Sequence, residues 1–156
     1  MIDIYKPSLD DLWFRQTLMA DENTMSYNIV WGGTIAFPKE KWDNWYKTWV
    51  DGDEFYHYYR YLLDKDKNVF VGEVAYHYDN DRNIHLCDVI VFDKYRYHGF
   101  GSQGLLLLCM AAKENGILVL YDEIASDNLS YSIFLKNGFV VDYQDSNVIM
   151  VKKVLT

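Results

Sequence analysis

The chain has 156 residues, half of them hydrophobic and 17% aromatic, which excludes disorder and suffices for one domain over 1–156 that buries roughly two thirds of its unfolded surface. Its 23 acidic and 15 basic residues give a net charge of −8, which disfavours nonspecific nucleic-acid binding and favours cationic ligands. No apolar run approaches the ~20 residues of a membrane span, Met1-Ile2-Asp3 does not open a signal peptide, and Cys87 and Cys109 lie in apolar runs without metal-like spacing, so a cytoplasmic, reduced, metal-free protein away from membranes is expected.

In chain order, Ile2 and Ile4 alternate with polar residues in a short first strand. Pro7 and Ser8 set up a helix through Leu9, Leu12, Trp13 and Gln16, with Asp10 and Asp11 in its first turn. The segment from Met25 to Phe37 is irregular and carries Tyr27, Trp31 and a Gly32-Gly33 pair; aromatics beside flexible glycines in a loop are harder to explain by packing alone. Pro38 opens a second helix whose Trp42, Trp45, Tyr46 and Trp49 recur at helical spacing, a core stripe. Strands are expected at Phe55–Leu63, Val69–Tyr78 and Ile84–Phe92, then at Ile117–Tyr121, Phe139–Tyr143 and Val148–Val154. A long apolar helix from Leu105 to Ala112 ends at Asn115-Gly116, and a short one covers Asp127–Lys136.

The stretch Val89 to Ser102, VIVFDKYRYHGFGS, organises the rest. A buried strand turns through Lys94, Arg96 and His98 into Gly99 and Gly101, and the apolar helix follows. Glycines let successive N–H groups converge, and a helix N-terminus adds partial positive charge, so the turn suits a phosphorylated ligand. Gly99-x-Gly101-x-x-Gly104 also fits a dinucleotide fingerprint, with Asp122 and Glu123 about twenty residues on. That fingerprint should follow its strand directly, however, and here Asp93 to His98 intervene; too little chain remains for the further βα units.

Arg96-Tyr97-His98-Gly99-Phe100-Gly101 resembles the R/Q-x-x-G-x-G/A pyrophosphate loop of the GNAT N-acetyltransferase superfamily. Asp127-Asn128-Leu129-Ser130 with Phe134-Leu135-Lys136-Asn137-Gly138-Phe139 is similar to its C-terminal segment, and the order β-α-α-β-β-β-α-β-α-β-β matches along essentially the whole chain. The resemblance implies an α/β (α+β) GNAT acyl-CoA N-acyltransferase fold, with a mixed, mostly antiparallel twisted sheet of about seven strands and about four helices. It implies acetyl-CoA as co-substrate, with Arg96, Tyr97, His98, Gly99, Phe100, Gly101 and Ser102 on the pyrophosphate. Val89, Ile90 and Val91 would pair with the pantetheine arm, and Asp127, Asn128 and Phe134 would be further coenzyme contacts. The acceptor would be a small-molecule amine or a peptide, bound near Tyr27 and Trp31; self-association into a homodimer is left open. A non-catalytic acyl-CoA sensor of the same fold is the alternative.

A protonated amine must lose its proton before it can attack, so a carboxylate base is expected. Asp88, which interrupts the apolar strand, leads and Glu73 follows, although either could serve a structural hydrogen bond. Alternation puts Glu73 with Val71 and Ala75, and Asp88 with Leu86 and Ile90; whether both line one cleft depends on register. His77 and His85 read as structural. Where the family carries a tyrosine that protonates the leaving thiolate stands Phe134, which has no proton to give. Tyr131, one turn earlier, is the substitute expected, or else water.

Overall fold

The computed structural model describes residues 1–128 and 130–156; Leu129, and with it part of the Asp127–Ser130 segment, lies outside them. Strand β1 (Ile2–Tyr5) leads through a 3₁₀ turn into α1 (Trp13–Ala20), a 3₁₀ helix (Thr24–Trp31) and α2 (Trp42–Trp49). A meander of β2 (His57–Asp64), β3 (Val69–Asp79) and β4 (Ile84–Val91) precedes α3 (Phe100–Glu114). Then come β5 (Val119–Ala125), α4 (Tyr131–Lys136), β6 (Val140–Gln144) and β7 (Val148–Val154). The seven strands form one sheet in the order β1-β2-β3-β4-β5-β7-β6, antiparallel throughout except between β4 and β5. This is the mixed, mostly antiparallel sheet with four α-helices that the sequence predicts.

Each face of the sheet carries two helices. Leu105, Leu108 and Ala112 recur at i, i+3 and i+7 along α3 and bury against Leu62, Val74 and Cys87, with Phe134 of α4 completing that layer. On the other face Phe14 and Leu18 of α1, with Trp45 of α2, cover Tyr59, Tyr61, Ala75 and Ile90. Helix α3 stops where Gly116 adopts φ +83, the left-handed residue that closes a helix end. Ser8 N donates to the Asp11 carboxylate at 2.9 Å, which fixes the entry to the first helix.

Three boundaries differ from the sequence reading in ways that matter below. Strand β5 continues to Ala125, carried past Tyr121 by its ladder with β7. The segment after Met25 is regular, a 3₁₀ helix ended by Gly32 at φ +111. The pairing of β2 with β3 shifts register between Leu62 and Leu63, and this bulge turns Val71 into the α3 face, away from Glu73 and Ala75.

The β4–β5 pair is short. Only His85–Leu120 and Leu86–Tyr121 are in register, after which the strands part while β5 stays with β7. A wedge-shaped gap therefore opens towards the C-terminal ends of both strands. Its β4 wall is held straight by a close approach: a Cβ built on Gly72 would stand 2.3 Å from the Ile90 carbonyl oxygen and 3.0 Å from Val91 Cα. Because the obstacle is backbone, Gly72→Ala is expected to force β3 away from β4 and to lower stability by about 3 kcal/mol. Urea unfolding measures this; an unchanged midpoint would show that the two strands separate freely.

Candidate active site

The gap has a polar inner edge. Tyr78 N donates to Tyr56 O on the β2 side at 2.8 Å. By alternation, His77, Ala75 and Glu73 face β4 and are the residues that bond Leu86, Asp88 and Ile90. The main-chain groups of Cys87, Val89 and Val91 are thus turned to the gap, where beyond Leu86 no β5 residue pairs with them. Ile90 is different, since its main chain is committed to β3 and its side chain is 7% exposed. Of the three residues expected along the coenzyme arm, only Val89 and Val91 offer it main-chain groups.

At the open end of the gap the chain bends into α3. Tyr97 (φ +68) and Gly99 (φ +78) both take left-handed conformations, Tyr97 with its side chain fully exposed. A Cβ on Gly99 would meet nothing nearer than 3.8 Å, so glycine serves the bend there; Gly101 instead packs against Val91 and Ile133. Gln103 N closes the first helical bond onto Gly99 O. The amides of Phe100, Gly101 and Ser102 are left without intrahelical acceptors and converge as an anion cradle. Ser102 Oγ accepts from Asn137 Nδ2 at 2.9 Å, which ties the cradle to α4. His98 is exposed beside Phe100. The Arg96 guanidinium is engaged elsewhere, with Asp93 at 3.1 Å and the Thr24 carbonyl at 3.0 Å, and it anchors the 3₁₀ helix to this turn.

On the α1/α2 face, the register settles what alternation leaves open. Glu73 lies opposite Ile90 and Asp88 opposite Ala75, so the two carboxylates are diagonal neighbours on one face. Their surroundings differ. Glu73 is buried and accepts two bonds from Arg15 Nη1, at 2.7 and 3.1 Å, and one from the Tyr59 hydroxyl at 2.9 Å. Arg15 is itself sandwiched by aromatics, 4.5 Å above the Trp45 ring and 5.2 Å from Phe37. Burial works against the Arg15 charge, and Glu73, Tyr59 and Asp88 together more than offset it, so the guanidinium stays protonated.

Asp88 is open to solvent although protein surrounds it on every side, the situation of a carboxyl at the floor of a recess. The desolvation of that recess, with the Glu73 charge adding to it and Arg15 opposing, pushes its pKa up to about 7. Across the gap, burial and then the Asp88 charge hold the Asp122 carboxyl well above the usual carboxylate range. Tyr27, on the 3₁₀ helix, lies within the field of these carboxyls: its hydroxyl is raised by burial and then by Asp88, Glu73 and Asp122.

The structure thus brings Asp88, Glu73 and Tyr27 into one electrostatic neighbourhood. Trp31 lies further along the same 3₁₀ helix, 55% exposed. Phe134 is 3% exposed and packed on Phe139, inside the core instead of the gap. Tyr131 starts α4, half-buried against the same core. Asp127 and Asn128 follow β5 at the open end of the gap, with Asn128 Oδ1 accepting from Ser130 N. Arg15, Tyr59 and Asp122 are additions that sequence reasoning missed. A lone arginine among the apolar residues of α1 was the available signal for the first of them. Among the described residues, no three His, Cys, Asp or Glu side chains are grouped so as to hold a metal ion, and no helix is long and apolar enough to cross a membrane.

The sequence model of the acetyltransferase (GNAT) family matches residues 17–139. No curated protein matches the chain by sequence. Among solved structures, the chain is similar to ribosomal-protein-alanine N-acetyltransferase of Brucella melitensis, at TM-score 0.76 and 18% identity over 99% of each chain. The yncA protein of Salmonella typhimurium, solved with its cofactor acetyl-CoA, superposes at TM-score 0.73 and 16% identity, over 100% of this chain and 95% of that one. Spermidine N-acetyltransferase of Vibrio cholerae, in complex with CoA and spermine, gives TM-score 0.73 and 16% identity over 99% and 95%. At these identities the structural likeness is one of fold.

Proposed function

We propose a function from one premise: the chain belongs to the acetyltransferase (GNAT) family. It moves an acetyl group from acetyl-CoA to the primary amine of a small molecule or peptide, by direct attack of the amine. The observation that carries this reading is Asp88, a solvent-open carboxylate with a pKa of about 7 at the floor of the recess beside the β4–β5 gap. The geometry also fits the coenzyme. The amides of Phe100, Gly101 and Ser102 would hold its diphosphate, and the main-chain groups of Val89 and Val91 would pair with its arm. When bound, the coenzyme supplies an acetyl thioester.

The residues of the chain do the rest. An alkylamine with pKa near 10.4 is only about one part in 10³ neutral at pH 7, equivalent to roughly 4–5 kcal/mol. Asp88 removes its proton, directly or through a water, because its own pKa lies close to the working pH. Glu73 is not that base: protonating it would sever the pair with Arg15 and leave a buried cation without a partner, at about 3–5 kcal/mol. Glu73 positions the face on which Asp88 works. Tyr27, whose hydroxyl feels the Asp88 and Glu73 charges, lines the side from which the amine would enter. The carboxylates and the net charge of −8 favour a cationic acceptor, and the spermine in the Vibrio cholerae complex supports a small amine.

Release of coenzyme A from acetyl-CoA over a panel of mono-, di- and polyamines and N-terminal peptides tests the reading. Turnover with at least one amine is the expected result. Tight acetyl-CoA binding with no turnover on any of them would favour the non-catalytic sensor, which the absence of a tyrosine at Phe134 makes the rival reading.

A further inference from the structure

We infer that Asp122 is the proton donor to the departing thiolate of coenzyme A, the post that Phe134 cannot fill. This rests on the acetyl-transfer reading above. Asp122 is the first residue of β5 beyond the last β4–β5 pair, Leu86–Tyr121, so it stands at the closed end of the gap. It alternates with Leu120 and Ile124, which bury on the α3/α4 side of the sheet, whereas Asp88 alternates with Ile90, which buries on the α1/α2 side. Two carboxyl groups therefore flank one end of the gap, from opposite strands and opposite faces.

A ligand arm anchored at the amides of Phe100–Ser102 and paired with Val91 and Val89 would run down the gap towards that closed end. An amine arriving from the recess would meet Asp88 on its side of the sheet, and the sulfur it displaces would leave towards the other side, where Asp122 is. The groups facing Asp122 keep it a donor. Cys87 on β4 is a buried thiol raised by desolvation and then by Asp122 itself, and Asp88 and Tyr27 add no positive charge. Glu123 donates its amide to the Asp122 carboxyl, but its own carboxylate is held by Arg82 at 2.9 Å. Arg15, buried on the Asp88 side, is spent on Glu73. Burial and the Asp88 charge accordingly leave Asp122 protonated while Asp88 is ionised, as in other carboxyl pairs whose environments push their pKa values apart.

The step balances. The amine nitrogen forms the N–C bond, the C–S bond breaks with its electron pair going to sulfur, and Asp122 gives that sulfur a proton. Asp88 first passes the ammonium proton of the amine to solvent, then takes the second nitrogen proton as the N–C bond forms and passes it through water to Asp122. The products are the amide and the free thiol of coenzyme A, and both carboxyls return to their starting states.

Asp122→Asn keeps the shape of the side chain and removes the acidic proton. Infrared difference spectra of the free protein, wild type against Asp122→Asn, should show a protonated-carboxyl band at pH 7 that only the wild type carries. Calorimetry should show unchanged coenzyme A binding. With an accepted amine, kcat should fall roughly 10²-fold, KM for the amine should hold, and the high-pH fall in the wild-type rate should vanish; Asp122→Glu should recover part of the loss. An Asp122 ionised at pH 7 in the free protein, or an Asp122→Asn variant as fast as a working wild type, would overturn this inference and leave acetyl transfer standing. A wild type that acetylates no amine would overturn both.

Discussion

Asp88→Asn should lower kcat/KM for the amine by roughly 10²- to 10⁴-fold, the range of a lost general base, while coenzyme A binds as before. The separation is expected because Asp88 lies on the α1/α2 face, and the cradle at Phe100–Ser102 is at the far end of the gap. The wild-type pH profile makes the assignment specific. A base works in its ionised form, and Asp88 has a pKa raised to about 7, so kcat/KM should climb as pH rises through about 7, ahead of the fall expected at higher pH as the acid loses its proton. The Glu73 charge is one reason that the value is high. Glu73→Gln removes it and leaves Arg15 pulling the other way, so the limb should move to lower pH. A profile with no limb near neutrality, or an Asp88→Asn enzyme within a few-fold of wild type, would return the base role to water or to another group.

The second large effect is on stability. Glu73→Ala leaves the Arg15 guanidinium buried among Trp45, Phe37 and Tyr59 with its carboxylate gone, and should cost about 3–5 kcal/mol. For a chain of this size that corresponds to a fall in Tm of roughly 10 °C, readable by calorimetry. The Tyr59 hydroxyl loses its acceptor in the same stroke. Replacing both partners, Arg15→Met with Glu73→Leu, should recover much of the loss, since no unpaired charge is then buried. A single Glu73→Ala that melts with wild type would mean that water reaches Arg15 freely, and Glu73 would again compete for the role of base.

Much of this was legible from residue order, and the misses have identifiable causes. The sheet, the helices flanking it and the turn at Gly99 follow from local patterns: β-branched runs, an apolar i, i+3, i+7 stripe in α3, and a glycine at φ +78. Val71 was assigned to the face of Glu73 because simple alternation has no term for the bulge opposite Leu62 and Leu63. Residue order offers Asp122 only as the ribose carboxylate of a dinucleotide fingerprint, with the strand ending at Tyr121; pairing with β7, at Val148–Val151, is what carries β5 on to Ala125. The resemblance puts Arg96 on the pyrophosphate mainly through its main chain, and nothing in residue order says where the guanidinium goes: it reaches Asp93 and the Thr24 carbonyl, the latter 72 positions distant in the chain.

The amino-acid sequence by itself determined the family and the order of elements, because each depends on neighbours within a few residues. Only the tertiary structure decided that Glu73 is neutralised by Arg15, that Asp88 is left open, and that Asp122 stands across the gap from it. Those outcomes depend on strand register and on where β4 and β5 part. A shift of one residue would turn every one of these side chains to the opposite face.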